Sequence, residues 1–348
     1  MFSYGKVLRG FAATLTPSQL GKLRRTHGVA AVEENGRVAA LGEGAGRVVP
    51  GHGTDRPHGL RGLDALSGPA PAGRDAGQAW GLDRIDQHRL PLDHRFVSSD
   101  DGRGATAYVM DTGVDYGHSE FTGRAVPGLD VIGDGRGGAD CNGHGTHVAG
   151  TIGGTRYGVA PAARLVSVRV LNCTGSGTWA HVLAGMDWVA ANAVQPAVLN
   201  ASLGGPYSPA VNSATDALAR TGVLPVVAAG DGGQDACDVS PAGAADALTV
   251  GATDRNDRQT AAGDYGSCVS LFAPGKDIVS ALMGGGYVAQ DGTSTAGPHA
   301  VGVALLYKAR HPSASSDQVA AWLLATSTKD VLSVNHGSPN RLLYTGGL

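Results

Sequence analysis

From residue 80 onward, short apolar-rich runs alternate with longer segments whose apolar residues recur at helical spacing. The runs at 105–110, 165–171, 198–203, 223–229 and 248–250 are strand-sized. The spacing predicts helices over 179–193, 208–220, 296–310 and 316–325. Such alternation predicts an α/β fold, a mostly parallel central sheet with helices on both faces. No internal repeat is visible.

Ahead of this body, residues 1–40 read as a small α/β unit. A strand-like run, 4–15, leads into Thr16-Pro17-Ser18-Gln19, a helix start with Thr16 as N-cap, Pro17 at the first helical position and Gln19 closing a capping box. That helix is expected to end near Gly28. Runs at 29–32 and 36–40 suggest a hairpin around Glu34-Asn35-Gly36. Residues 41–79 hold 10 Gly and 4 Pro in 39 positions and read as a flexible linker. The expected organisation is therefore 1–40, a linker at 41–79 and a main domain at 80–348.

Composition narrows the function classes. Lys plus Arg is 27 and Asp plus Glu is 30, a net charge of −3, without the basic footprint of a nucleic-acid binder. Residues 1–79 carry 10 basic and 6 acidic side chains, the remainder 17 and 24. Opposite signs favour docking of the first unit on the body. No apolar run approaches the roughly 18 residues of a membrane helix, so no membrane association is expected. The four cysteines, Cys141, Cys173, Cys237 and Cys268, contain no CxxC pair, which argues against structural zinc. They allow three pairings, or four free thiols. Their spacing of 32, 64 and 31 residues favours two successive loops.

Three motifs carry the chemistry. In Ala107-Tyr108-Val109-Met110-Asp111-Thr112-Gly113 a buried strand delivers a carboxylate at its C-terminal end, the edge where ligands bind in parallel sheets. In Asn142-Gly143-His144-Gly145-Thr146-His147 a histidine opens a small-residue helix, and no Glu stands between the two histidines as in HExxH zinc sites. In Asp291-Gly292-Thr293-Ser294-Thr295-Ala296 a serine begins an apolar helix whose free N–H groups favour developing negative charge. A serine hydroxyl needs a base to take its proton, and the base needs a carboxylate to fix its tautomer. Asp111, His144 and Ser294 supply those roles in the order Asp, His, Ser.

On these motifs, the sequence resembles the subtilisin-like serine proteases, in particular their proteinase K and aqualysin branch, over nearly all of 80–348. Trp80-Gly81-Leu82-Asp83-Arg84-Ile85-Asp86-Gln87 and the closing Gly337-Ser338-Pro339-Asn340-Arg341-Leu342-Leu343-Tyr344 extend the match. The resemblance implies a serine endopeptidase that cuts extended or unfolded proteins through an acyl-enzyme, with no organic cofactor, as a secreted monomer. Gly175-Ser176-Gly177 resembles the edge strand that pairs with substrate, and Ser202-Leu203-Gly204 the lining of the primary specificity pocket. The branch carries two sequential disulfides, which implies Cys141 with Cys173 and Cys237 with Cys268. Asp83, Asp86, Gln87 and Asp93 resemble a calcium site of this branch; oxygen donors on one loop suit a hard cation. A second calcium site is not expected, because Ser270 stands where a ligand Asp is usual.

Residues 1–40 resemble the second half of the family's inhibitory propeptide, which implies a zymogen blocked by its own N-terminal unit and cut somewhere in 41–79. The first strand and helix of that propeptide are missing, so the chain is expected to begin late, with a secretion signal upstream.

The sequence departs from the family at the oxyanion hole, where the resemblance implies Asp231 in place of an Asn, with Thr293 and the Ser294 amide as remaining donors and a protonated Asp231 still able to donate. The family's Asn donates a hydrogen bond to the tetrahedral oxyanion, whereas ionised Asp231 only accepts. A slowed or acid-shifted protease is expected. Thr295 and Gly297 replace the usual Met and Thr beside Ser294. Two other classes remain, a catalytically silent secreted binding protein and an acyltransferase or peptide ligase. Labelling by a fluorophosphonate separates the first, and product analysis with added amine the second.

Overall fold

The computed structural model of the protein describes residues 1–49, 74–75, 79–334 and 337–348. Nine strands form the central sheet, in the order Thr328–Lys329, Arg341–Leu342, Leu271–Pro274, Leu248–Thr253, Leu224–Ala228, Ala197–Ala201, Thr106–Asp111, Arg164–Arg169 and Ala125–Asp130. All pairings are parallel except that of the first two strands.

Successive residues of one strand reach opposite cores, which is why these strands are apolar throughout. Ala107 and Val109 join a cluster with Val148, Ile152, Val301, Leu305 and Val319. Tyr108 and Met110 join another with Val182, Met186, Val211 and Leu218. Helices His144–Gly153, Thr293–Arg310 and Ser316–Thr326 thus cover one face, and Trp179–Asn192 and Pro209–Ala219 the other. The disulfides join Cys141 to Cys173 and Cys237 to Cys268. By loop entropy, closures of 32 and 31 residues each contribute about 3–4 kcal/mol. No helix among the described residues is long and apolar enough to cross a membrane.

The N-terminal unit differs in part from its sequence reading. Residues 4–15 do not form one strand; Phe2–Tyr4 and Gly10–Ala12 make a short antiparallel pair. The helix Pro17–Leu23 has the Thr16/Gln19 capping box but stops before Gly28. Residues 29–32 form no strand, so the hairpin is absent. The polar residues of its intended turn serve other helices instead. Glu33 accepts from the Ser208 hydroxyl (2.7 Å) and the Ala210 N–H (2.9 Å), and Asn35 accepts from the Ala180 N–H (2.9 Å). Arg37–Ala40 becomes the middle strand between Ser176–Thr178 and Leu203–Pro206. The linker reading of 41–79 is corrected at its start, where Glu43–Val49 is a strand paired with Tyr287–Asp291. Most of the rest of that stretch lies outside the described residues.

Candidate active site

Three backbone devices bring the motifs together. Asp111 ends the Thr106–Asp111 strand and is fully buried. His144 begins its helix after Gly143, whose φ of 106° favours glycine. A Cβ on Gly145 would lie 2.1 Å from the Gly113 carbonyl oxygen, so only glycine lets this helix approach the strand end. The preceding loop is held by Asp140, whose carboxylate accepts from the Thr112 and Thr146 hydroxyls and from the N–H groups of Asn142, Gly143 and Thr146. Ser294 is the second residue of Thr293–Arg310, entered through Gly292 at φ 131°. Its carbonyl accepts from the Ser202 hydroxyl (2.9 Å), which in turn accepts from the Asn200 amide (3.0 Å).

His144 Nδ1 lies 2.8 and 3.0 Å from the two Asp111 carboxylate oxygens, and Nε2 lies 2.8 Å from the Leu41 carbonyl oxygen. Both ring nitrogens face acceptors, which suits the doubly protonated ring. Burial draws its pKa down, but the Asp111 charge and the hydrogen bonds outweigh it, and the net shift is upward. The Ser294 hydroxyl is buried with no hydrogen-bond partner. Its link to His144 is not made here, because the Leu41 carbonyl occupies Nε2.

The chain itself runs through the cleft. Ala39 and Val38 pair with Ser176 and Gly177, while Ala40 and Ala39 pair with Leu203 and Gly204. Ala40 N–H donates to the Gly175 carbonyl (2.8 Å) and Leu41 N–H to the Ser202 carbonyl (3.2 Å). The Leu41 side chain packs on Gly204, 3.2 Å from where a Cβ there would stand. A Cβ on Gly42 would lie 2.9 Å from Ser294 Oγ. The remaining cleft, about 360 Å³, is lined by Leu41, Gly42, Asn142, His144, Gly175 and Ser294 among others.

Asp231 and Thr293 are engaged with each other. The Thr293 N–H donates to one Asp231 oxygen (2.9 Å) and its hydroxyl to the other (3.2 Å), while the Gly230 N–H donates to the Thr293 hydroxyl (3.1 Å). The loop around Asp231 is tied by Asp264, which accepts from the Gly232 and Gln234 N–H groups (2.8 and 3.1 Å).

Asp83 lies in the Trp80–Ile85 helix, and Asp86, Gln87 and Asp93 in the segment that follows it. Asp83 accepts from the N–H groups of Asp93 (3.3 Å) and His94 (2.8 Å), Asp86 from that of Val97 (2.7 Å), and the Gln87 amide oxygen from that of Asp93 (3.3 Å). Burial first, then the neighbouring carboxylates, raise Asp86 to about 6. Among the described residues, the three ligating atoms gathered within 4.8 Å belong to Asp134 and the already bonded sulfurs of Cys141 and Cys173.

Sequence reasoning missed Leu41, Asn200, Asp140 and Asp264. Asn200 carried a signal, a polar residue inside the apolar run at 198–203. The others take their meaning only from what folds against them.

Comparison with known proteins agrees with this geometry. Residues 102–343 match the Subtilase family, and residues 1–40 match the family described as Peptidase inhibitor I9. The chain is 45% identical over 341 residues to the Alkaline serine exoprotease A of Vibrio alginolyticus, covering 97% of this chain and 59% of that protein. It is 44% identical over 345 residues to the Extracellular serine proteinase of Thermus sp. (strain Rt41A), covering 98% and 77%. A cold adapted subtilisin-like serine proteinase of known crystal structure superposes with a TM-score of 0.75 at 48% identity, over 76% of this chain and 97% of that one. The strand-end aspartate, the helix-opening histidine and the helix-opening serine thus sit in a match that takes in more than half the chain, which belongs to the subtilase family of subtilisin-like serine peptidases.

Proposed function

We propose that this chain is a serine endopeptidase that hydrolyses extended polypeptide through an acyl-enzyme on Ser294, and that its first substrate is its own Leu41–Gly42 bond. The observation that carries the reading is the threading of that bond through the cleft, with Leu41 O at His144 Nε2 and Gly42 against Ser294. Neutral His144 takes the Ser294 proton as Oγ bonds to the carbonyl carbon. For this the Leu41 carbonyl turns away from His144 Nε2, which frees the base and aims the developing oxyanion at the Ser294 N–H at the helix N-terminus. Collapse breaks the C–N bond, and His144 returns its proton to the leaving amine. Water then repeats the sequence on the ester and frees Ser294. Asp111 holds Nδ1–H and stabilises the imidazolium throughout.

Substrate binds as Arg37–Ala40 does, between Ser176–Thr178 and Leu203–Pro206, by main-chain pairing that demands little of sequence. The pocket at Gly204 takes a Leu-sized apolar side chain. Residues 1–41 form the inhibitory segment and 80–348 the peptidase domain; the cut segment stays as a competing occupant until released. The name of the Thermus relative supports secretion.

Asp231 gives this enzyme a slower, acid-favoured reaction, because both its oxygens accept from Thr293 and neither donates to the oxyanion. Asp83, Asp86, Gln87 and Asp93 offer the oxygen donors a calcium ion takes, with Asp83 and Asp93 near enough to raise Asp86, although their carboxylates do not all close to within 4.8 Å of one another. A bound ion there would tie this segment to the body; calcium should raise Tm and Asp83→Asn abolish the gain.

The deciding experiment follows the purified full chain with time from pH 5 to 10. A new N-terminus at Gly42, fluorophosphonate label on Ser294 and an uncut Ser294→Ala chain are expected. Neither cleavage nor label at any pH would leave the silent binding protein as the better reading.

A further inference from the structure

Beyond the bond over Ser294, the chain does not leave the body. Glu43–Val49 lies antiparallel to Tyr287–Asp291, whose other edge pairs with Ile278–Ala281. Glu43 stands opposite Asp291; after an irregularity, Arg47, Val48 and Val49 stand opposite Ala289, Val288 and Tyr287. Counted from the Leu41–Gly42 bond, Arg47, Val48 and Val49 are the sixth, seventh and eighth residues on the leaving side.

Two observations say what this edge recognises. At its far end the outer strand turns side chains to water: Val48 is 63% exposed and the Arg47 side chain 77%, while Val49 is half-buried. There the backbone ladder is the main attachment, with an exposed ion pair from Arg47 to Asp277 at 3.8 Å. The inner strand is anchored, with Val288 and Ala289 buried, and runs directly into Gly292-Thr293-Ser294. Once Glu43–Val49 departs, Tyr287–Asp291 is an edge strand with unpaired N–H and C=O groups, a template for another chain. Its register to the nucleophile is fixed by covalent continuity.

We infer that the Tyr287–Asp291 edge is a substrate subsite for the leaving side of the polypeptide, reaching the sixth to eighth residues past the cut bond and reading main chain rather than side chain. The inference rests on the peptidase reading above. The enzyme then favours bonds followed by at least eight extended residues over bonds near a chain end.

The test uses the full chain after it has processed itself. Peptides share one acyl side and carry two, five or eight residues after the cut bond. Two or three net backbone hydrogen bonds predict a gain in kcat/KM of about tenfold from five residues to eight. Single N-methylation at the sixth, seventh and eighth residues should lose that gain at alternate positions, the signature of strand pairing. Replacing Arg by Glu at the sixth should cost less than about fivefold, as an exposed ion pair does, and Asp277→Lys should reverse the preference. Equal kcat/KM for five and eight residues, or N-methyl effects without alternation, on enzyme whose Ser294 takes the fluorophosphonate, would overturn the subsite alone. No hydrolysis and no label would overturn the peptidase reading and the subsite with it.

Discussion

Asp231 sets its carboxyl group at the N-terminus of the helix that carries Ser294, where it accepts from the Thr293 N–H and hydroxyl. A helix N-terminus favours an acceptor in the resting protein, and in the proposed mechanism an acceptor so placed offers the oxyanion no donor. Asp231→Asn exchanges an acceptor for a donor and should raise kcat at pH 7 by about 10²-fold, with KM moving less. The pH dependence separates this from a change in folding. His144 is raised above the ordinary imidazole value and must be neutral to act as base, so both enzymes gain activity as pH climbs through it. That limb is common to both enzymes and cancels in the ratio of variant to wild type, which isolates the exchange of acceptor for donor. An unchanged or lower rate at pH 7 would count against the proposed role. A second carboxylate holds the same loop. Asp264 is buried, one oxygen accepts from Gly232 and Gln234, and the other has no partner. Burial pushes its pKa up more than those N–H groups pull it down. A folded-state pKa above the unfolded one means that its contribution is full below the unfolded value and lost as pH rises through the folded one. Asp264→Asn, in a Ser294→Ala background to prevent self-digestion, should match the parent Tm in acid and exceed it progressively as pH rises. A difference independent of pH would assign the effect to packing.

Two helices of the body receive N-terminal partners from outside the body. Asn35 accepts from Ala180 at the start of Trp179–Asn192, and Glu33 accepts from Ser208 and Ala210 at the start of Pro209–Ala219. A side-chain cap is worth about 1 kcal/mol, so Glu33→Ala or Asn35→Ala should weaken inhibition by the cut segment about fivefold, read as its inhibition constant. Full retention of inhibition would show that strand pairing alone holds the segment. The same residues explain what was legible in the sequence. The body helices and parallel strands follow from local period and apolar runs, and the Thr16 capping box is local chemistry; the structure has all of them within a few residues. The hairpin around Asn35 failed because its polar residues and its strand find partners more than 130 residues away, at Ser176–Thr178, Ala180, Leu203–Pro206 and Ala210. Glu43–Val49 hid in a Gly-rich stretch because its pairing uses backbone and leaves Val48 in water, so no apolar alternation marks it. The three motifs were legible since each is a strand end or helix start with its glycine attached, whereas Leu41 became visible only once the cleft lay around it.

Across the whole molecule, the N-terminal unit docks as part of the body. Tyr4, Val7 and Val38 join the same core as Trp179 and Met186. Three successive N–H groups, of Gly5, Lys6 and Val7, converge on one oxygen of Asp187, and the Tyr4 hydroxyl donates to the Ala180 carbonyl (3.1 Å). With 10 basic and 6 acidic residues in 1–79 against 17 and 24 elsewhere, long-range charge favours the same docking. These contacts hold the proposed scissile bond, Leu41–Gly42, in register from both sides, through Arg37–Ala40 before it and Glu43–Val49 after it. Such fixed register makes Leu41 the residue on which self-processing should turn. Its side chain lies on Gly204, and the Leu41 N–H and carbonyl are already committed to Ser202 and His144. Leu41→Asp would keep the backbone contacts and push a carboxylate into the space an apolar side chain fills. At this half-buried position an unpaired charge replaces an apolar contact, so the cut after residue 41 should slow by about tenfold or more while the chain still folds, as near-UV circular dichroism would report. Wild-type processed enzyme added in trans should spare the same bond, because the pocket and not the tether does the selecting. Rapid cleavage of the Leu41→Asp chain at an unchanged position would mean that docking alone chooses the bond and that the pocket at Gly204 imposes no side-chain requirement.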